Sequence, residues 1–260
     1  MRVLVTGGAG FIGSHLVELL LAQNHEVTVL DNFYSGTISN LPRHERLRVV
    51  EGDIRNPSDI KKAIRRIEAV FHLAAVPSVE ASIVDPIGTN EVNASGTLKL
   101  LEEAKLADVK RFVYASSAAV YGNNPNLPLD ETAIPNPLSP YAIDKLIGEY
   151  YVDLYHRTSN LTGLTLRFFN VYGPRQNPES PYSGVISIFA DRLRKAQPVT
   201  VFGDGEQTRD FIFVKDLAEI LAASLHGPVT TKCPVINVGV GKPTSINSLL
   251  VTLKHLTGNR

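Results

Sequence analysis

Arg2-Val3-Leu4-Val5-Thr6-Gly7-Gly8-Ala9-Gly10-Phe11-Ile12-Gly13 follows Met1 at the start of the chain. Arg2–Thr6 is short and β-branched, and three glycines follow it at the spacing Gly7-x-x-Gly10-x-x-Gly13. Ser14 to Gln23 then carries Leu16, Val17, Leu19 and Leu20 at helical spacing, and Glu26–Asp31 reads as a second buried strand. Strand, glycine turn, helix and strand is the context in which a glycine fingerprint points to a dinucleotide. Gly7 permits the tight turn, Gly10 lets the backbone approach a pyrophosphate, and Gly13 lets helix and strand pack closely. The helix N-terminus adds unpaired N–H groups and the positive end of its dipole. Asp31 closes the second strand, 18 residues past Gly13. A carboxylate there accepts from ribose hydroxyls and repels a 2′-phosphate, which selects NAD over NADP.

Further strands follow at α/β spacing. Leu47–Glu51 ends in Gly52-Asp53-Ile54, Val70–Leu73 ends in Ala74-Ala75, and Arg111–Ser116 ends in Ser117. Helix-like segments lie between them, at Pro57–Arg66 and from about Pro86 to Ala107. Alternating strands and helices with buried strands predict a Rossmann-type, doubly wound α/β fold, its parallel sheet covered on both faces. Ligands of such sheets sit beyond the strand C-termini, where Gly7, Asp31, Asp53, Ala74 and Ser117 all fall. His72, inside a strand, reads as a satisfied core histidine.

Composition narrows the class. The chain has 260 residues, 43% of them hydrophobic, and Lys+Arg equals Asp+Glu at 26 each. Nothing in that balance draws a nucleic acid or an anionic membrane. No apolar run reaches the roughly 18 residues of a membrane span, and no signal peptide precedes the first strand. Cys233 is the one cysteine, which rules out an internal disulfide, fits a reducing compartment, and reads as an apolar filler with no metal cluster around it. A soluble cytoplasmic protein without a metal is expected.

Ser139-Pro140-Tyr141-Ala142-Ile143-Asp144-Lys145 carries the second signal. Pro140 suits a first helical turn, because its missing N–H is one the helix leaves unpaired anyway. Tyr141 and Lys145 then share one helix face. A phenol titrates near pH ~10 and is a poor base at neutrality. A neighbouring ammonium favours the phenolate, so the pair is expected to act as a poised proton acceptor.

Taken with Gly52-Asp53-Ile54, His72-Leu73-Ala74-Ala75, Asn93 and Tyr114-Ala115-Ser116-Ser117, these motifs resemble the extended short-chain dehydrogenase/reductases. Within them, the chain resembles the NAD-dependent epimerase/dehydratase family and its UDP-glucose/UDP-N-acetylglucosamine 4-epimerase group. The resemblance spans essentially the whole chain. It implies that Gly7, Gly10, Phe11, Ile12 and Gly13 hold the pyrophosphate of NAD, and that Asp31 and Asn32 reach the adenine ribose. Asp53 and Ile54 would flank the adenine, and Leu73, Ala74 and Ala75 would line the nicotinamide side, with Asn93 and Ser116 near the cofactor. Ser117, Tyr141 and Lys145 become the catalytic set, and Lys145 would also bind the nicotinamide ribose. Counting back from Val120-Tyr121-Gly122 selects Ser117 as the catalytic hydroxyl. It would hydrogen-bond the sugar O4 while Tyr141 removes its proton, giving a transient 4-keto sugar. Dehydratases of this kind follow that hydroxyl with Asp-Glu, and decarboxylases also place a Glu there; here the positions are Ala118 and Ala119, so epimerisation or simple redox chemistry is favoured.

The second half is expected to hold a UDP-sugar. Asn170 and Arg209 would contact the diphosphate, Arg209 through its planar fork, with a surface ion pair to Asp210 or a neighbour as the alternative. Pro181-Tyr182-Ser183-Gly184-Val185-Ile186 looks like the branch that handles N-acetylhexosamines. Val199–Phe202 is read as a short strand, Lys215 as the start of a helix with Asp216 as its cap or dipole partner, and Ile246–Leu256 as a last helix. Residues 1–170 are expected to form the NAD-binding domain and 171–260 a small substrate lobe with interleaved segments. That lobe is expected to be C-terminally truncated, because relatives continue through an Arg-x-Gly-Asp segment. The resemblance also implies a homodimer.

Overall fold

The computed structural model describes residues 1–178, 184–227 and 230–258. Its strands are β1 (Arg2–Thr6), β2 (Glu26–Asp31), β3 (Leu47–Glu51), β4 (Ala69–His72), β5 (Arg111–Ser117), β6 (Thr162–Phe168), β7 (Asn170–Tyr172), β8 (Thr208–Phe213), β9 (Val235–Val238) and β10 (Pro243–Ser245). Among the described residues, seven form one sheet in the order β3-β2-β1-β4-β5-β6-β9, and every pair in it is parallel. The order reverses across β1 and β4, and a ligand crevice forms at such a switch point, outside the strand C-termini. Register sets that edge: Thr6 lies opposite both Leu30 and His72, and Ser117 lies opposite Phe168.

Alternation along the strands covers both faces. Val3, Val5, Val27, Val29 and Phe71 join one core with Leu16, Val17, Leu20, Leu217 and Leu221. Leu4, Val70, Phe112 and Tyr114 point the other way, into a second core with Ile60, Leu100, Leu101 and Val152. The covering helices are α1 (Phe11–Ala22), α2 (Pro57–Ala63), α3 (Val79–Val84), α4 (Pro86–Asn90), α5 (Thr97–Leu106), α6 (Pro140–Thr158), α7 (Val185–Arg194), α8 (Val214–Ala223) and α9 (Ile246–Thr257). The first core lies under α1 and α8, the second under α2, α5 and α6.

The chain departs from its sequence expectation in a few places. The helix expected from Pro86 to Ala107 is divided, because a π-helical segment, Glu91–Gly96, separates α4 from α5. Val199–Phe202 forms no strand: in the second sheet, β10-β8-β7, β8 already has a partner on each side. Asp216 sits in the first turn of α8 but makes no capping bond, so it acts through the dipole. Residues after 170 divide between two places. β9 and α8 complete the large sheet and its first core, while β7, β8 and β10 form the small layer.

Candidate active site

The glycine turn is closed by contacts that exclude side chains. Gly7 has φ +70°, and a Cβ there would stand 2.8 Å from the Ala74 backbone N; at Gly13 it would stand 2.2 Å from Gly7 O. Gly10 meets nothing nearer than Gly7 O, at 3.3 Å. It begins α1 with no side-chain cap and no acidic residue in the first turn. The N–H groups of Phe11, Ile12 and Gly13 therefore have no side-chain acceptor beside an open backbone, which fits a diphosphate.

Asp31 braces this turn, accepting from Ala9 N at 2.9 Å and Phe33 N at 2.8 Å. A carboxylate accepts about four hydrogen bonds, which leaves capacity for ribose hydroxyls. The segment after β2 folds back, with Thr37 N and Asn40 Nδ2 donating to Ala9 O at 3.1 and 2.9 Å. Asn32 Nδ2 donates to Asp53 Oδ2 at 2.9 Å. Hydrogen bonds from Arg55 hold the Asp53 carboxyl down to about 2. Ile54 is buried in the second core, so its side chain is spent on packing. Leu73, Ala74 and Ala75 are half-buried beyond β4. Asn93 is 1% exposed, and its amide accepts from Val76 N at 2.8 Å and donates to Val76 O at 3.1 Å. It pins the strand-end loop from behind.

Ser139 accepts from Ala142 N at 3.2 Å and Pro140 takes the first turn of α6, which brings Tyr141 and Lys145 over the end of β5. Gly148 allows the approach: a Cβ there would stand 2.2 Å from Tyr114 Oη. Lys145 is buried, its Nζ donating to Ala115 O at 2.8 Å and lying 5.9 Å from the Tyr141 ring centroid. Burial lowers the Lys145 ammonium to about 8, with Asp144 and Glu149 opposing the shift. Burial raises the Tyr141 phenol above its ordinary value, and a hydrogen bond with Ser117 works the other way. The phenol is therefore raised in the folded chain, where the sequence led to the expectation of a lowered one. Ser117 caps the turn that follows, accepting from Ala119 N at 3.1 Å, so Ser117, Tyr141 and Lys145 do converge.

Ser116 faces elsewhere. Its Oγ donates to Glu149 Oε1 at 2.5 Å, and Glu149 is held by Arg167 Nε at 2.9 Å and Nη2 at 2.7 Å, with both side chains 5% exposed. Burial works against the Arg167 charge, but the Glu149 carboxylate outweighs it and holds the guanidinium protonated. Arg167 stacks on Tyr121 at 4.7 Å, and Tyr121 Oη donates to Asn237 Oδ1 at 2.7 Å. This network ties α6, β5, β6 and β9 together behind the cluster. Sequence reasoning missed it, although an arginine in the apolar run Leu164–Phe169 was a visible cue.

On the small layer, Asn170 Nδ2 donates to Asp210 O at 3.1 Å, and the exposed Arg209 donates to Thr208 O at 2.8 Å. The Arg209–Asp210 ion pair does not form. The Asp210 carboxylate accepts instead from Val240 N at 3.0 Å and Gly241 N at 2.7 Å. His72 is a core residue, with Thr6 Oγ1 and Thr97 Oγ1 each 2.8 Å from a ring nitrogen. Cys233 is buried. Among the described residues, no group of three acidic, histidine or cysteine side chains is arranged to hold a metal ion. Pro181, Tyr182 and Ser183 of the N-acetylhexosamine cue lie outside the described residues.

A doubly wound sheet with this glycine turn after its first strand defines the dinucleotide-binding class of α/β proteins. The chain belongs to the NAD dependent epimerase/dehydratase family, whose model matches residues 3–239. It is 42% identical over 260 residues to a putative UDP-glucose 4-epimerase of Methanocaldococcus jannaschii, covering 99% of this chain and 83% of that one. A solved UDP-N-acetylglucosamine 4-epimerase of Methanobrevibacter ruminantium, in complex with UDP-N-acetylmuramic acid, superposes with a TM-score of 0.95 at 40% identity, covering 99% and 82% of the two chains. The Thermus thermophilus UDP-glucose 4-epimerase, solved with NAD, gives 0.92 at 39% identity, covering 100% and 84%.

Proposed function

We propose that this chain is an NAD-dependent 4-epimerase of UDP-sugars, interconverting UDP-glucose and UDP-galactose or their N-acetylated counterparts. One observation carries the reading: Ser117, Tyr141 and Lys145 converge at the C-terminal end of β5, on the sheet edge that also carries the glycine turn, with Ala118 and Ala119 next in the chain after Ser117. Those two alanines supply no acid or base for dehydration or decarboxylation. Bound NAD supplies the hydride acceptor and afterwards the hydride donor.

The chain's own residues do the rest. Tyr141 takes the O4 proton as the C4 hydrogen leaves, Ser117 hydrogen-bonds that oxygen, and the 4-keto sugar turns over before the proton returns from Tyr141. Lys145 is the cation on the Tyr141 face of α6 and holds the nicotinamide ribose. Gly7, Gly10, Phe11, Ile12 and Gly13 cradle the pyrophosphate, Asp31 and Asn32 take the adenine ribose, and Asn170 and Arg209 take the diphosphate of the sugar nucleotide. Residues 1–170 with α8 and β9 make the dinucleotide unit, and β7, β8 and β10 the substrate layer. The protein with NAD and no added reductant is expected to convert UDP-galactose or UDP-N-acetylgalactosamine to its epimer. NAD-loaded protein that forms neither epimer sinks the reading.

A homodimer belongs to the same proposal. Ile83 (63% exposed), Val84 (84%) and Ile87 (74%) on α3 and α4 neighbour Ile143, Tyr150 and Leu154 on one exposed face of α6, an apolar patch suited to a second copy. No helix among the described residues is long and apolar enough to cross a membrane. A cytoplasmic location suits the unpaired Cys233 thiol, and cell fractionation tests it.

A further inference from the structure

The loop that leaves β7 doubles back onto the helix of the glycine turn. The Pro174 carbonyl lies 3.0 Å from His15 Nε2, Arg175 Nη1 donates to Ser14 Oγ at 3.1 Å, and Arg175 Nη2 donates to Glu18 Oε1. His15 also meets the Phe11 ring edge-on, with centroids 6.4 Å apart. Phe11, Ser14, His15 and Glu18 form one stripe of α1 that begins at its first residue. Ser14 is fully buried and His15 nearly so.

Arg175 adopts φ +69°, a left-handed conformation that disfavours a residue with a Cβ and persists only where the surroundings hold it. On its other side, Gln176 is tied to β7 by a bond from Nε2 to Val171 O at 3.3 Å, and Asn170 begins that strand. A short chain of contacts therefore joins the first turns of α1 to the strand that carries Asn170.

We propose that Arg175 is a positioning residue. By bridging Ser14 and Glu18, it sets where the sugar-nucleotide side of the cleft stands relative to the cofactor side, and it touches neither ligand. The proposal rests on the epimerase reading, which gives α1 to the dinucleotide and β7 to the sugar nucleotide. Hydride transfer tolerates little misplacement, so a residue remote from the reacting atoms can matter in this way.

The test measures UDP affinity by calorimetry on NAD-loaded protein, alongside NAD affinity, KM and kcat. Arg175→Ala is expected to weaken UDP binding and raise the UDP-sugar KM by about five-fold, the scale of one partly exposed charged contact, with NAD affinity unchanged. Glu18→Gln, on an exposed part of α1, is expected to move UDP affinity the same way. Combining the two should add little to either alone, because they break one bridge. Unchanged UDP affinity in both variants overturns the proposal, and so do fully additive losses, which would place Arg175 on the ligand itself. Wild-type protein that binds NAD but not UDP overturns the epimerase reading, and this proposal with it. Wild-type UDP binding that Arg175→Ala and Glu18→Gln leave intact overturns this proposal alone.

Discussion

At Tyr141, burial raises the phenol and the hydrogen bond with Ser117 works the other way. The sequence shows the lysine four residues on and leads to a lowered phenol. It does not show how much of the phenol loses water, and in the folded chain that effect is the larger. Tyr141→Phe is expected to keep NAD and UDP binding while kcat falls about 10²- to 10⁴-fold, the range for loss of a positioned acid-base group. Full activity in that variant removes Tyr141 from the mechanism. His72 makes a second residue-scale case. Burial, and then the charge of Lys145, lower its imidazole from 6.5 to about 3. Between those values the unfolded chain binds the proton and the folded one does not, so stability falls as pH drops through that window. Urea midpoints from pH 7 to 4 should fall more steeply for wild type than for His72→Gln; parallel slopes would contradict this. Its place in the core was legible from strand alternation, but its hydroxyl partners, Thr6 and Thr97, lie far off in sequence.

The elements around the cluster are held by charge as well as by apolar packing. Glu149 and Arg167 sit on α6 and β6, both nearly water-free, and Ser116 adds a bond from β5. Removing one partner of a buried pair leaves the other charge uncompensated, at about 3–5 kcal/mol. Glu149→Gln should therefore lower unfolding stability by about 3–5 kcal/mol, read from denaturant titration, whereas Ser116→Ala, which loses one hydrogen bond to a charged group, should cost about 1.5–3 kcal/mol. Equal effects from the two would show that the ion pair is not what joins these elements. The family resemblance tells the adjacent serines apart, aligning Ser117 with the catalytic hydroxyl when counted back from Val120-Tyr121-Gly122. That Ser116 answers to Glu149 was not legible, since the two meet only when α6 crosses β5 at Gly148. The π-helical turn at Glu91–Gly96 was equally hidden, lying inside an unbroken helical pattern that also supplies Asn93.

On the scale of the whole molecule, one sheet organises both halves of the chain, with β9, which lies in the chain between the β8 and β10 strands of the small layer, returning beside β6. Both sheet faces are covered, yet α3, α4 and α6 keep an apolar surface toward solvent. A homodimer over that surface predicts that Ile87→Glu with Tyr150→Glu shifts the mass in light scattering from two chains to one. A monomeric wild type at micromolar concentration would refute it. The parallel sheet, the glycine turn, the acidic end of β2 and the Tyr141–Lys145 pair were determined by the sequence alone. Each rests on local periodicity or on spacing within a single element, which needs no knowledge of distant residues. Only the tertiary structure decided the rest: that Val199–Phe202 finds no strand partner, that Asp210 serves the Val240 and Gly241 amides instead of Arg209, and that Arg175 reaches Ser14 and Glu18. Those outcomes depend on which groups lose water together and which edges are already paired, and that is settled only once the distant parts of the chain meet.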